Sequence, residues 1–206
     1  MPPREPKTRE RLSRSSIKFN VKFIQLEKRV KLGGALRKGL AACSYSLVAR
    51  FDTDDICEPH RFEKQLEYMA SNPNIDVCGS YASIIDENGM IEDELKRPLF
   101  HKSILQIIWS CPIIHPSVMM RKDKILKVGS YKSLLFSNQE DYELWIRSAN
   151  NGITAIINPT KYIEKNVTNY IFGRHDANSG GKSWRKYTTT HICTHFPLFN
   201  IRKNAY

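Results

Sequence analysis

Cysteine is sparse and carries no pattern. The five residues (Cys43, Cys57, Cys78, Cys111 and Cys193) are odd in number, with no C-x-x-C pair and no metal-finger spacing. That excludes a disulfide scaffold and a structural zinc site, and it points to reduced thiols. Long apolar runs are missing too. The most apolar window, Ile104 to Met120, is interrupted by Gln106, Ser110, Pro112, His115 and Pro116, so it cannot span a bilayer. No signal-peptide pattern opens the chain, and the expected location is the cytoplasm. Internal repeats are absent. Ordinary apolar content over 206 residues excludes wholesale disorder and fibrous classes, and leaves room for one domain with a real core.

Positive charge, by contrast, is abundant and uneven. The formal net charge is +11. Residues 1–31 hold ten Lys/Arg against three Asp/Glu, residues 161–206 hold eight against two, and the middle is close to neutral. Basic flanks around a neutral body suit an anionic partner: polyphosphate, the inner face of a membrane, or nucleic acid. They are equally what a pair of solvated charge runs looks like. No nucleic-acid-binding motif accompanies the charge.

Residues 1–16 are rich in Pro and Arg with little to bury and read as a disordered tail. Ile17 to Leu26 reads as a strand, and Leu32, Leu36, Leu40 and Cys43 recur at helical spacing. Leu47 to Phe51 has the bulk of a buried strand. Pro59 is placed in the first turn of the next helix, whose buried face is expected at Phe62, Leu66, Met69 and Ala70. Ile75 to Ile85 reads as a strand, Asp86 to Gly89 as a turn, and the following stretch as a polar connector. A helix over Ile104 to Trp109, a strand over Pro112 to Met120 and a short helix over Lys122 to Val128 come next. The last helix follows Gln139, with Tyr142, Trp145, Ile146 and Ala149 on one face and Gly152 as its C-cap. Beyond Ile157 the pattern is irregular. Alternating strands and helices give an α/β class.

The most informative stretch is Leu47-Val48-Ala49-Arg50-Phe51-Asp52-Thr53-Asp54-Asp55-Ile56. Three carboxylates close an apolar strand, where open α/β sheets place their ligands. A hard divalent cation, Mg²⁺ or Mn²⁺, would relieve their repulsion and carry substrate phosphates. A solvated acidic turn capping the next helix would use the same residues. Glu140 and Asp141 open the last helix, where acids also complement the dipole.

Three segments in order, "ALRKGL…LVARFDTDDICEPHRFEKQLEYMASNPNIDVCGS", "HPSVMMRK" and "EDYELWIR", resemble family 2 glycosyltransferases, above all bacterial enzymes of capsule, O-antigen and amylovoran-type exopolysaccharide synthesis. The resemblance covers about Leu32 to Ile157. It implies a GT-A-like mixed sheet flanked by helices, spanning residues 17–160, with 161–206 as an irregular basic segment. By position, Asp52-Thr53-Asp54 matches the D-x-D motif. Asp54 would then hold the metal on a nucleotide-sugar diphosphate, with Asp52, Asp55 and Arg50 on the donor side. Asp141 matches the catalytic base and Glu140 its partner. His115 matches a recurring His-Pro and is expected in a structural or acceptor-side role. Arg174 and His175 resemble a basic loop that closes over the diphosphate.

The implied reaction is inverting transfer from a nucleotide-sugar, UDP-linked by family habit, to a saccharide acceptor that is lipid-linked at the inner membrane face. Relatives also carry an apolar strand and a Pro-x-Tyr-Asn-like turn ahead of D-x-D. Only 51 residues precede Asp52 here, so this first nucleotide-binding strand is expected to be absent. An inactive, truncated remnant of such an enzyme therefore stands as the alternative, with a basic nucleic-acid-binding protein behind it.

Overall fold

The computed structural model describes residues 30–52, 55–86, 88–132, 139–166 and 190–193, with 22, 24 and 26 as single positions. For 160–166 and 190–193 it describes the backbone alone. The expected strand over 17–26, the N-terminal tail and the question of a missing first strand lie outside the described residues.

Helix α1 (Leu32–Ala42) forms where Leu36 and Leu40, one turn apart, both reach full burial. Burying two leucines contributes about 1.5–3 kcal/mol each. Its last turn is held by Lys122, whose Nζ donates to the carbonyls of Ala41 (3.3 Å) and Cys43 (2.5 Å), a cation at the negative end of the helix dipole. Strand β1 (Leu47–Asp52) follows, then β2 (Asp55–Cys57), α2 (Arg61–Ser71), β3 (Val77–Ile85) and β4 (Ile91–Leu95). Helix α3 (His101–Gln106) leads through two short 3₁₀ turns, Ile108–Ser110 and His115–Ser117, to β5 (Met119–Arg121). Helices α4 (Lys122–Lys127) and α5 (Glu140–Asn150) and strands β6 (Ala155–Asn166) and β7 (Thr190–Cys193) complete the described elements.

Among the described residues the strands form one mixed sheet in the order β2-β6-β3-β5-β1-β7, with β4 on β3. β3 runs parallel to β6, while β5 is antiparallel to both β3 and β1, so β1, β3 and β6 share one direction. Strand alternation then sorts side chains to two cores. Val48, Val77, Met120 and Ile157 join α1, α3, α4 and α5 on one face. Ala49, Cys78, Met119 and Ile156 meet α2 on the other. This is the helix-flanked α/β layering that the sequence implied.

Several elements depart from the sequence pattern, each for a physical reason. Helix α2 begins at Arg61, after Pro59 rather than with it, and its most buried positions are Arg61, Gln65 and Met69. Phe62 and Leu66 are only half-buried and Ala70 is exposed. The polar pair is needed because β5 is so short. Beyond Ala49 and Cys78, β1 and β3 have no strand between them, and the 3₁₀ turn His115–Ser117 fills the split. That leaves carbonyls that no ladder can satisfy. Arg61 donates to Pro116 O (2.8 Å) and Arg50 O (3.0 Å), and Gln65 Nε2 donates to Cys78 O (2.9 Å) and Ser117 O (2.8 Å).

The expected strand over 112–120 shrinks to three residues for the same reason. The expected helix over 104–109 is α3 plus a 3₁₀ turn. The stretch expected as a polar connector is a strand, β4, brought onto β3 by the turn in which Asp86 Oδ1 accepts from Asn88 N (2.9 Å) and Met90 N (2.7 Å). β6 continues to Asn166, well past the point where apolar alternation stops, because pairing with β3 and β2 sustains it. On α5 the buried residues are Glu140, Leu144, Trp145 and Ser148, with Tyr142, Ile146 and Ala149 only half-buried.

Replacing Arg61 by Met would bury the Arg50 and Pro116 carbonyls without donors. The expected loss is about 2–4 kcal/mol of unfolding free energy, read as a lower urea midpoint. The exposed control Glu67→Ala should stay within roughly 0.5 kcal/mol.

Candidate active site

Arg50 and Asp52 end β1, where the strand leaves β5 behind. Arg50 is 4 % exposed, and its Nη2 pairs with Asp52 Oδ1 at 2.6 Å. Its Nε and Nη1 are buried without a partner among the described residues. A buried guanidinium with open donors is costly unless a further anion meets it. Asp55, the first residue of β2, is also buried. Asp54 lies outside the described residues, as do Arg174 and His175.

The 3₁₀ turn that fills the sheet split carries His115 to the flank of β1. His115 is buried, with Nε2 2.7 Å from the Tyr131 hydroxyl and its ring edge-on to Trp145 at 5.8 Å. Both ring contacts lie within the described interior; the sequence left His115 a structural or an acceptor-side role. Tyr131 was missed by sequence reasoning, because a lone Tyr in a loop carries no periodic signal. Its phenol is pushed above its ordinary range, first by burial. The nearby Arg50 opposes that shift, and the carboxylates of Asp141, Glu140 and Asp52 add to it. The charged ends of β1 and α5 thus act on one buried hydroxyl, although they lie far apart in sequence.

The loop bearing Tyr131 is clamped by α5 itself. Arg147 forks onto Glu143 (2.8 and 2.6 Å) and donates to the carbonyls of Val128 and Ser130, the latter at 2.7 Å. The Arg147 hydrogen bond holds the Glu143 carboxyl below its ordinary range. The pairing therefore stabilises the fold at neutral pH and is lost as acid protonates Glu143. Gly129 makes the turn with φ +98°, a conformation that L side chains avoid. On the opposite side Gly33 lets α1 approach, since a Cβ there would run into the Lys132 carbonyl and meet Glu140 Cβ at 3.2 Å.

Glu140 is buried at the start of α5, and Asp141 beside it is half-buried. Asp141 Oδ1 accepts from the Tyr142 amide (2.8 Å), and Oδ2 accepts from the Cys111 thiol (3.8 Å). Cys111 is a second contributor that sequence reading missed. Among the described residues no three His, Cys, Asp or Glu side chains are grouped to hold a metal ion. Asp52 and Asp55, the acids described at the end of β1, offer oxygen, the ligand type that a hard cation takes.

A family model, Glycosyl transferase family 2, matches residues 6–129, more than half the chain. The chain belongs to glycosyl transferase family 2. It is 45% identical over 127 residues to the amylovoran biosynthesis glycosyltransferase AmsE of Erwinia amylovora, covering 61% of this chain and 46% of that one. The O-antigen biosynthesis glycosyltransferase WbnJ of Escherichia coli is 37% identical over 136 residues, covering 62% and 52%. An Escherichia coli UDP-Gal:alpha-D-GlcNAc-diphosphoundecaprenol beta-1,3-galactosyltransferase is 36% identical over 135 residues, covering 65% and 48%. The family 2 chain thus spans about half the length of these curated relatives. The crystal structure of Staphylococcus aureus TarS residues 1–349 matches 79% of this chain and 48% of its own, with a TM-score of 0.61 at 16% identity. That likeness shows a shared GT-A-like fold. Among the described residues no helix is long and apolar enough to cross a membrane.

Burial first, then the Asp141 charge and hydrogen bond, push the Cys111 thiol up to about 12, with Arg97 opposing. At pH 8 its thiolate fraction is then on the order of one in ten thousand, against roughly a quarter for an ordinary thiol. Iodoacetamide should label Cys111 about a thousandfold more slowly than free glutathione, by site-resolved mass spectrometry. Asp141→Asn should speed the labelling. Labelling at the free-thiol rate would contradict this geometry.

Proposed function

We propose that this chain is an inverting, metal-dependent glycosyltransferase of cell-surface polysaccharide synthesis. Its donor would be a UDP-sugar and its acceptor a saccharide, lipid-linked as in the galactosyltransferase relative. The observation that carries the reading is the buried Arg50–Asp52 pair at the end of β1, whose guanidinium keeps two unmet N–H positions among the described residues, together with a second carboxylate, Asp141, held at the start of α5 by the Tyr142 amide and the Cys111 thiol. Displacement with inversion needs acids on two sides of an anomeric carbon, one near the departing diphosphate and one near the attacking hydroxyl.

In this reading Asp141 is the base. It takes the acceptor hydroxyl proton as the new bond to the anomeric carbon forms and the bond from that carbon to the diphosphate oxygen breaks. The Tyr142 amide and Cys111 thiol fix which lone pair of Asp141 remains for that proton. Glu140, buried beneath, holds the start of α5 against α1. On the donor side Asp52 binds the nucleoside or sugar, and the unmet N–H groups of Arg50 face the donor's negative charge. Asp54 would hold Mg²⁺ or Mn²⁺, which when bound neutralises charge on the leaving diphosphate. Asp55 supports the cluster. Arg174 and His175 are assigned to the diphosphate and His115 to the framing of the acceptor side. The basic flanks would hold the protein against an anionic membrane face.

Calorimetry of UDP binding with Mn²⁺ tests the donor side: Asp54→Ala should weaken it about tenfold or more, and equal affinity in both proteins would overturn the assignment. Asp141→Asn should leave that binding intact while slowing sugar transfer about 10²–10⁴-fold.

A further inference from the structure

The segment that runs toward Cys111 carries apolar surface left open among the described residues. Phe100, 70 % exposed, stands just ahead of α3, and Trp109, 72 % exposed, lies just past it. On α3 and the turn that follows, Lys102, Leu105, Gln106 and Trp109 recur at helical spacing and are all exposed. A cation and two apolar groups therefore share the outer side. The inner side is firmly seated. Ile104 is buried, Ile108 packs on the core, and Ser110 Oγ donates to Ile107 O at 2.9 Å. From Lys96 to Lys122 the chain carries five Lys/Arg and no Asp or Glu.

We propose that α3 and its turn form the surface that lies on an anionic lipid bilayer, with Phe100, Leu105 and Trp109 entering the headgroup layer and Lys102 meeting lipid phosphate. This rests on the transferase working at an anionic membrane face, and it assigns the contact to the folded body rather than to the basic flanks. Exposed indole rings favour the headgroup level. Shallow apolar insertion joined to cations is the pairing that holds a protein at such an interface. A protein partner fits less well, because a stable interface buries about 800 Å² on each side, and a six-residue helix is only about 9 Å long. The turn continues into Cys111, whose thiol meets Asp141 at 3.8 Å, so the acid assigned as base adjoins this face.

The test is flotation of the full chain with phosphatidylcholine vesicles, neutral or carrying phosphatidylglycerol, at about 0.15 M salt. Wild type should bind the anionic vesicles about tenfold better or more. Leu105→Ser combined with Trp109→Ser should weaken that binding about tenfold or more, and Lys102→Glu about tenfold. The control is Lys38→Glu, the same charge change at an exposed site on α1, which lies against β7 while α3 lies against β6. It should weaken binding about threefold or less. Brominated phosphatidylcholine in the anionic vesicles should quench wild-type fluorescence more than that of Trp109→Phe, since Trp145 is buried and Trp184 is common to both. No wild-type binding, full binding by the Leu105 and Trp109 variant, equal losses at Lys102 and Lys38, or equal quenching overturns the proposal. UDP binding with Mn²⁺, measured in parallel, separates the two readings. Its retention without vesicle binding rejects this face alone, while its loss with vesicle binding intact rejects the transferase assignment.

Discussion

A three-residue strand sets the architecture. Because β5 pairs only with the first residues of β1 and β3, the sheet divides toward the carboxyl ends of those strands, and something polar must satisfy the carbonyls that face each other across the split. Arg61 and Gln65 do so from α2, reaching through a layer that would otherwise be apolar. Arg61 lies 4.2 Å from the centroid of the Phe62 ring, which covers its charge on the outer side. With those carbonyls satisfied, the His115–Ser117 turn can occupy the gap, Ser117 Oγ can accept from Ser80 N at 2.9 Å, and β1 can end in charged residues beside an imidazole rather than in another strand. Arg50, Asp52 and His115 thus stand at the edge of that division.

The buried charge at Arg50 follows from the same geometry. A guanidinium in this position with one carboxylate and two idle donors contributes little to folding by itself. Its carboxylate partner is Asp52, two residues along the same strand, so the pair closes β1 without help from another segment. A substitution at Arg50 or Asp52 would break the buried ion pair that closes β1.

Much of this was legible in the sequence. The strand ending in acids, the helix beginning with Glu140-Asp141 and the family resemblance all depend on local spacing, and local spacing survives folding. What could not be read came from tertiary demand. Arg61 and Gln65 look like solvent-facing residues because their partners are backbone carbonyls, which leave no trace in side-chain pattern. β4 is too acidic to resemble a strand and exists because β3 offers it an edge. Tyr131 and Cys111 sit in loops, where no periodicity distinguishes a residue that meets a buried side chain from one that meets water.

Helix α5 holds Asp141 at one end and, through Arg147, the loop of Tyr131 at the other. Acid and phenol are therefore both tied to a single helix, whose Trp145 packs edge-on against His115. Loss of the Arg147–Glu143 fork would loosen the Tyr131 loop from the helix without touching Asp141.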